Sequence, residues 1–240
     1  MTNTLPIKAK MMIGTMAVAS LCGLSFAAVT WQAQAWPQLM LLLAAAVISS
    51  RLKVKLPGLT TSMSGNLPVI LLAVTQLGLF ASLLVAATAA IAQSFASGKK
   101  MTPLQLLFNT CTLMNASGLA YLVYHGRILG YSAATHAMSL MLAASTYFVA
   151  NTVPIASIIG LTEGGNALSL WHKIFLRSFP NYVIGAGLTA IVSAFSTIAG
   201  LVTLMAVSFA VYQSYRMYAA RTEQSQLQAQ PRAMAAAAGR

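Results

Sequence analysis

The chain has 240 residues, 58% of them hydrophobic and only 7% charged, with a mean hydropathy of +0.75. A soluble domain needs far more polar surface, so composition excludes that class and indicates a polytopic membrane protein. The formal charge of +12 would suggest nucleic acid in a soluble chain, but the bases sit between apolar runs, where they read as orientation signals and contacts to membrane lipid.

The only acids are Glu163 and Glu223. Cys22 and Cys111 both fall inside apolar runs, so they read as packing residues rather than a disulfide framework. Lys8 and Lys10 precede an uncharged run from Met11 to Thr30 that is long enough to span. Ala33-Gln34-Ala35 has the small-x-small form of a signal-peptidase site. The apolar part nevertheless exceeds the about 7–15 residues of a signal core, and Trp31 with Trp36 reads as an interfacial anchor, which favours a retained span.

Leu39 to Ser50 gives only about 18 Å of helix. It crosses only if Trp36, Pro37 and Arg51 lie at the interfaces, with Arg51 snorkelling toward headgroups. The basic stretch Arg51-Leu-Lys53-Val-Lys55-Leu-Pro57-Gly58 follows, and its alternating pattern can lie extended at the interface with Lys53 and Lys55 toward phosphate. Pro57-Gly58 is a turn signal, and Thr60, Thr61, Ser62, Ser64 and Asn66 can cap the next helix.

From Leu67 to Ala92 the chain carries no formal charge, about 39 Å as one helix against a hydrocarbon core of about 30 Å. Gln76 and Gly78 mark the break: a short helix, a turn near Gly78, and a second helix to about Ser94. Lys99 and Lys100 form a basic loop. Leu104–Tyr124 is the next span, and Tyr131–Ile159 another, interrupted or ended by Pro154. Residues 160–175 are polar and amphipathic, and the last spans are about Tyr182–Ile198 and Leu201–Tyr218. The expected fold is therefore an all-α polytopic transmembrane helical bundle over residues 1–218, with about six full spans plus a broken or re-entrant helical hairpin. Residues 219–240 read as a cytoplasmic tail, partly disordered. Gly65-Asn66 and Gly165-Asn166 occupy corresponding places in the two halves, a weak sign of internal repeat.

Placing both termini in the cytoplasm puts every cation except Arg127 inside, as the positive-inside rule asks. It requires the tract between Lys55 and Lys99 to leave and return.

Leu52-Lys53-Val-Lys55-Leu-Pro57-Gly58-Leu59 with Thr61, Met63-Ser64 and Asn66, followed by Leu106-Leu107-Phe108-Asn109, resembles the N-terminal membrane region of bacterial diguanylate cyclases and HD-type cyclic-di-GMP phosphodiesterases. The likeness covers roughly residues 35–220. It implies a membrane sensor or anchor that acts on a cytoplasmic signalling partner or within a homo-oligomer. Gly65 departs from the pattern, where an apolar residue is expected. The sequence to Arg240 carries no output domain, so the expectation is no catalytic activity of its own.

Polar side chains inside apolar runs are the remaining candidates, because unpaired they are costly in lipid. Thr60, Thr61, Ser64, Asn66, Gln76, Asn109, Asn115 and His136 are the candidate ligand-binding set; interhelical bonding and helix capping are the competing reading. Arg51, Lys53, Lys55, Lys99 and Lys100 are the lipid-headgroup set. Asn115-Ala-Ser117-Gly118 with His136 is similar to a serine-histidine intramembrane protease, without further motif support. No metal-ligand cluster or phosphate loop is present, so neither cofactor nor metal is expected. The leading function is a sensory or anchoring module. The alternative is a small-molecule permease or a transporter's substrate-binding subunit, for which a broken helix at mid-membrane is also expected.

Overall fold

The computed structural model describes residues 5–31, 36–51, 53–55, 62–96, 101–126 and 133–193. The helices follow the apolar runs: α1 (Ile7–Val29), α2 (Trp36–Ser50), α3 (Asn66–Gln76), α4 (Leu79–Ala96), α5 (Pro103–His125), α6 (Ala133–Glu163), the single turn α7 (Ala167–Leu170) and α8 (Phe179–Ser193). Between α2 and α3 lies a small antiparallel hairpin, β1 (Lys53–Lys55) with β2 (Ser62–Ser64), in the register Lys53↔Ser64 and Lys55↔Ser62. The extended backbone expected at Lys53–Lys55 is there, and its pairing partner adds a strand element to the all-α reading.

Local sequence explains where several elements begin and end. Thr102 Oγ1 accepts from the Gln105 N–H and Gln105 Oε1 accepts from the Thr102 N–H, a capping box with Pro103 at the first helical position of α5. Pro68 falls in the first turn of α3, where no N–H is needed for the helix. The break falls at Leu77-Gly78, as the sequence indicates, and α4 continues to Ala96. Gly65, not a hydroxyl or amide side chain, stands at the cap of α3, and it makes no side-chain cap bond. Asn66 is drawn inward instead, which corrects its expected capping role.

The turn at Gly78 folds α3 back along α4. Ser82 Oγ donates to the Ala73 carbonyl at 3.0 Å, and Asn66 Nδ2 donates to the Ala89 carbonyl at 3.4 Å, so both ends of the pair share one antiparallel register. Every residue of α3 from Asn66 to Val74 is buried. This helix has no polar face because other helices cover it on all sides, including α2, α4, α5 and α8.

Contacts between ends fix the direction of the rest. Trp31 beyond α1 packs on Phe80 at the start of α4, with ring centroids 5.2 Å apart, and on Trp36 at the start of α2 at 5.8 Å. His125 at the end of α5 donates from Nε2 to the Val74 carbonyl near the hairpin tip, at 2.9 Å. Tyr124 lies beside His136 at the start of α6. The tip therefore sits with the ends of α1 and α5. The starts of α1 and α5, the end of α4 and the end of α2 lie at the opposite end of the bundle.

Among the described residues four helices are long and apolar enough to cross a membrane: Ile7–Val29, Leu79–Ala96, Pro103–His125 and His136–Glu163. Trp36–Ser50, Asn66–Gln76 and Phe179–Ser193 are apolar but shorter. The hairpin is thus unequal. α4 has about 27 Å of helix and α3 about 16 Å, so α3 starts roughly 10 Å inward from the end of α4. The expected final span Leu201–Tyr218 and the tail 219–240 lie outside the described residues.

Two expectations change. α6 continues through Pro154 to Glu163, because packing holds the helix together around a buried proline whose ring removes only one backbone donor. The two Gly-Asn pairs also play different parts: Asn66 is buried in the core, whereas Asn166 caps α7 by accepting from the Leu168 and Ser169 N–H groups.

The corner after α6 depends on glycine. Gly164 has φ 77°, in the left-handed region, and the N–H groups of Gly164 and Gly165 both donate to the Gly160 carbonyl. A Cβ at Gly160 would stand 2.9 Å from the Gly165 carbonyl oxygen, whereas one at Gly187 would meet nothing within 4 Å. Gly160→Ala is expected to lower stability by about 1–3 kcal/mol, since backbone must move to admit the methyl group. Gly187→Ala should leave it unchanged or raised; denaturant unfolding in detergent micelles that ranked the two variants the other way would refute this account of the corner.

Candidate functional site

Two buried polar joints and one cleft stand out against the apolar bundle. The first joint lies at the base of α3. Asn66, 2% exposed, accepts at Oδ1 from Ser49 Oγ at 2.6 Å while its amide donates to the Ala89 carbonyl. One carboxamide thereby joins α2, α3 and α4. Thr189 of α8 reaches the same region by donating to the Pro68 carbonyl at 3.4 Å.

The second joint ties α1 to α5. Ser20 Oγ donates to the Cys111 carbonyl at 3.1 Å and to Asn115 Oδ1 at 3.0 Å, and Asn115 Nδ2 returns a bond to the Met16 carbonyl at 3.1 Å. α1 exposes most of its surface to the surroundings, burying only Ala9, Ile13, Ser20 and Ala27. The polar clasp is therefore a large part of what positions it.

Beside this clasp lies a cleft of about 970 Å³ walled by α1, α4, α5 and α6. Its lining is almost wholly apolar and includes Gly23, Phe26, Leu83, Leu119, Leu122, Val149 and Val153, with Ser20, Asn115, Ser145 and Thr146 as the polar members. Gly23 and Gly118 both face Leu83, at 3.9 and 3.4 Å from where their Cβ would stand, which lets α1 and α5 approach α4 at the rear wall. Phe26, Leu119, Leu122, Val149 and Val153 are exposed, so the mouth opens sideways, toward lipid in a membrane.

The sequence-derived candidates are distributed rather than assembled. Asn115 lines the cleft, and Asn66 anchors the other joint. Ser64 lies in β2 opposite Lys53, Gln76 ends α3 near the hairpin tip, and Asn109 lies half-buried on α5. His136 is exposed beside Tyr124. Thr60 and Thr61 lie outside the described residues. Of the headgroup set, Arg51 is exposed just after α2, Lys53 and Lys55 form β1, and Lys99 and Lys100 lie outside the described residues.

Ser117 is fully buried and donates to the Ser82 carbonyl at 3.3 Å, two helical turns from the tyrosine that His136 touches. A serine-histidine pair is therefore not formed. Among the described residues no three His, Cys, Asp or Glu side chains could share a metal ion. Sequence reasoning missed Ser20, Ser49 and Ser82, because a serine on an apolar helix looks like filler until its partner is known. His125 falls just beyond the expected span Leu104–Tyr124; it ends α5, its ring stacks near Tyr121 and it closes the hairpin tip.

Apolar helices of membrane-spanning length around a laterally open cleft define a membrane-embedded helical domain. The chain belongs to the MASE9 family, a family of membrane-associated sensory domains, which it matches over residues 37–219. That match starts inside α2 and leaves α1 outside. No curated protein and no solved structure matches the chain.

The clasp is open to direct measurement. A Ser20→Ala and Asn115→Ala double-mutant cycle is expected to give a coupling of about 0.6 kcal/mol, a usual size for interhelical hydrogen bonds in membranes. A coupling of zero in unfolding titrations would mean that the Ser20–Asn115 bond itself contributes nothing to holding α1.

Proposed function

We propose that this chain is an integral membrane sensory module of the bacterial inner membrane, without catalytic activity of its own. It acts on a cytoplasmic signalling partner or on a second copy of itself through small helix shifts. The observation that carries this reading is membership of a membrane-associated sensory family across three quarters of the chain. It accords with the resemblance of the Leu56-Pro57-Gly58 region to the membrane portion of cyclic-di-GMP signalling proteins.

The orientation proposed is both termini in the cytoplasm. Lys8, Lys10, Arg51 and the Lys53–Lys55 strand all lie at the end opposite the hairpin tip, which supports it. The tip itself stands with the ends of α1 and α5. The permease alternative, for which a helix broken at mid-membrane is expected, has no family match in its favour.

In this reading the two polar joints set the resting geometry. Few interhelical bonds hold α1 and the base of α3, so a change at either would move an end of the bundle rather than melt it. The test is a fusion of this chain to a diguanylate cyclase reporter. Asn66→Ala and Asn115→Ala should each change cyclase output by about threefold or more at equal membrane abundance, corresponding to a shift of about 0.7 kcal/mol in a two-state balance. Outputs indistinguishable from the parent for both would defeat the sensory reading, and solute uptake by the chain alone in proteoliposomes would replace it with a transporter.

A further inference from the structure

We propose that the cleft between α1, α4, α5 and α6 binds a neutral, long-chain membrane-borne molecule that carries a hydroxyl donor, an alcohol-type lipid rather than a ketone, an ester or an anion. This rests on the sensory reading and names the chemical class that the site takes.

The hydrogen-bonding inventory of the walls sets the class. Ser20 spends its hydroxyl proton on Cys111 and Asn115 oxygens. Asn115 spends its amide protons on the Met16 carbonyl and on Met16 Sδ, at 3.1 and 3.4 Å. Ser145 donates to the Met141 carbonyl at 2.9 Å, and Thr146 donates to the Leu142 carbonyl at 2.9 Å. Each polar side chain of the lining thus has its donors engaged inside the protein, while hydroxyl and carboxamide oxygens keep lone pairs free.

Pro154 adds a stronger feature. Ala150 and Pro154 both line the cleft within one helix, and the carbonyl of Ala150 is the acceptor that the N–H of residue 154 would normally satisfy. Proline has no N–H, so that carbonyl is deprived of its helical partner at membrane depth. The cleft therefore presents acceptors without spare side-chain donors. A carbonyl or carboxylate ligand would find no partner and would face like-signed partial charge, whereas a hydroxyl would be received.

Size, polarity and access agree with this class. About 970 Å³ is at the upper end of the about 300–1,000 Å³ of small-molecule sites, large enough for an extended hydrocarbon chain. The lateral mouth at Leu122 and Val149 admits a molecule directly from the bilayer. α1, clasped through Ser20 and lightly buried, is the wall that occupancy would displace.

The experiment uses the full chain in phosphatidylcholine nanodiscs with a diazirine-bearing 1-hexadecanol as photoprobe and peptide mapping of the adducts. Adducts are expected on the cleft faces of α5 and α6, and unlabelled 1-hexadecanol should compete at least about fivefold better than its methyl ether, the ratio one modest hydrogen bond supplies. Pro154→Ala restores an N–H to the Ala150 carbonyl and should erode that preference while the chain remains folded. Val149→Trp, at a position 46% exposed at the mouth, should reduce labelling without lowering stability. Equal competition by alcohol and ether, or adducts spread evenly over all lipid-facing helices, would overturn the proposal. Selective binding without any change in the cyclase fusion's output would leave this assignment standing and defeat the sensory reading instead.

Discussion

The structure depends on the complete enclosure of α3. Nine successive residues, Asn66 through Val74, are buried around the whole circumference of a helix only 11 residues long. Such a helix cannot exist alone in lipid or water: it is too short to span, and its first backbone groups need partners inside the protein. α2, α4, α5 and α8 pack around it, α4 joined to it by two polar contacts and each of the others by one. Asn66 takes the hydroxyl of Ser49 and gives to Ala89, Ser82 gives to Ala73, His125 gives to Val74, and Thr189 gives to Pro68. In a bilayer, hydrophobicity distinguishes poorly between one apolar helix packing and another, so these few directed bonds carry much of the specification of register.

α1 stands in a different relation to this core. It touches the bundle mainly along one line, through the Ser20–Asn115 clasp and the close passage of Gly23 over Leu83. The segment matching MASE9 begins after it. The cleft owes its existence to that loose docking, since α1 closes one side of a depression on α4, α5 and α6 without filling it. A wall held by few contacts is also a wall that can shift, which is what the proposed coupling between the cleft and the charged end of the bundle requires.

Much of the architecture could be read from the residues. Charge starvation and run length identified the membrane class, and the excess length of the Leu67–Ala92 tract with Gly78 inside it located the break between α3 and α4. The cation pattern demanded that this tract return, and the shared register of Ser82 with Ala73 and of Asn66 with Ala89 shows that it does. The candidate polar residues were harder to sort. Asn66 and Asn115 became joints between helices, Gln76 went to the tip and His136 to an exposed end, because polarity signals a need for a partner without naming it.

What the sequence determined by itself is set by one-dimensional quantities: how long each run stays apolar, where proline and glycine interrupt it, and on which side of a run the lysines and arginines lie. Those fix helices, breaks and relative direction, because a bilayer penalises charge and unpaired backbone at every position alike. Only the tertiary structure decided that α3 is the enclosed helix, that α6 runs through Pro154, and that Ser20, Asn115, Ala150 and Pro154 line one cleft. These depend on which faces of helices distant in sequence meet, and alanine, leucine and serine lie so evenly around α1 and α5 that the chain carries little record of the pairing until it has packed.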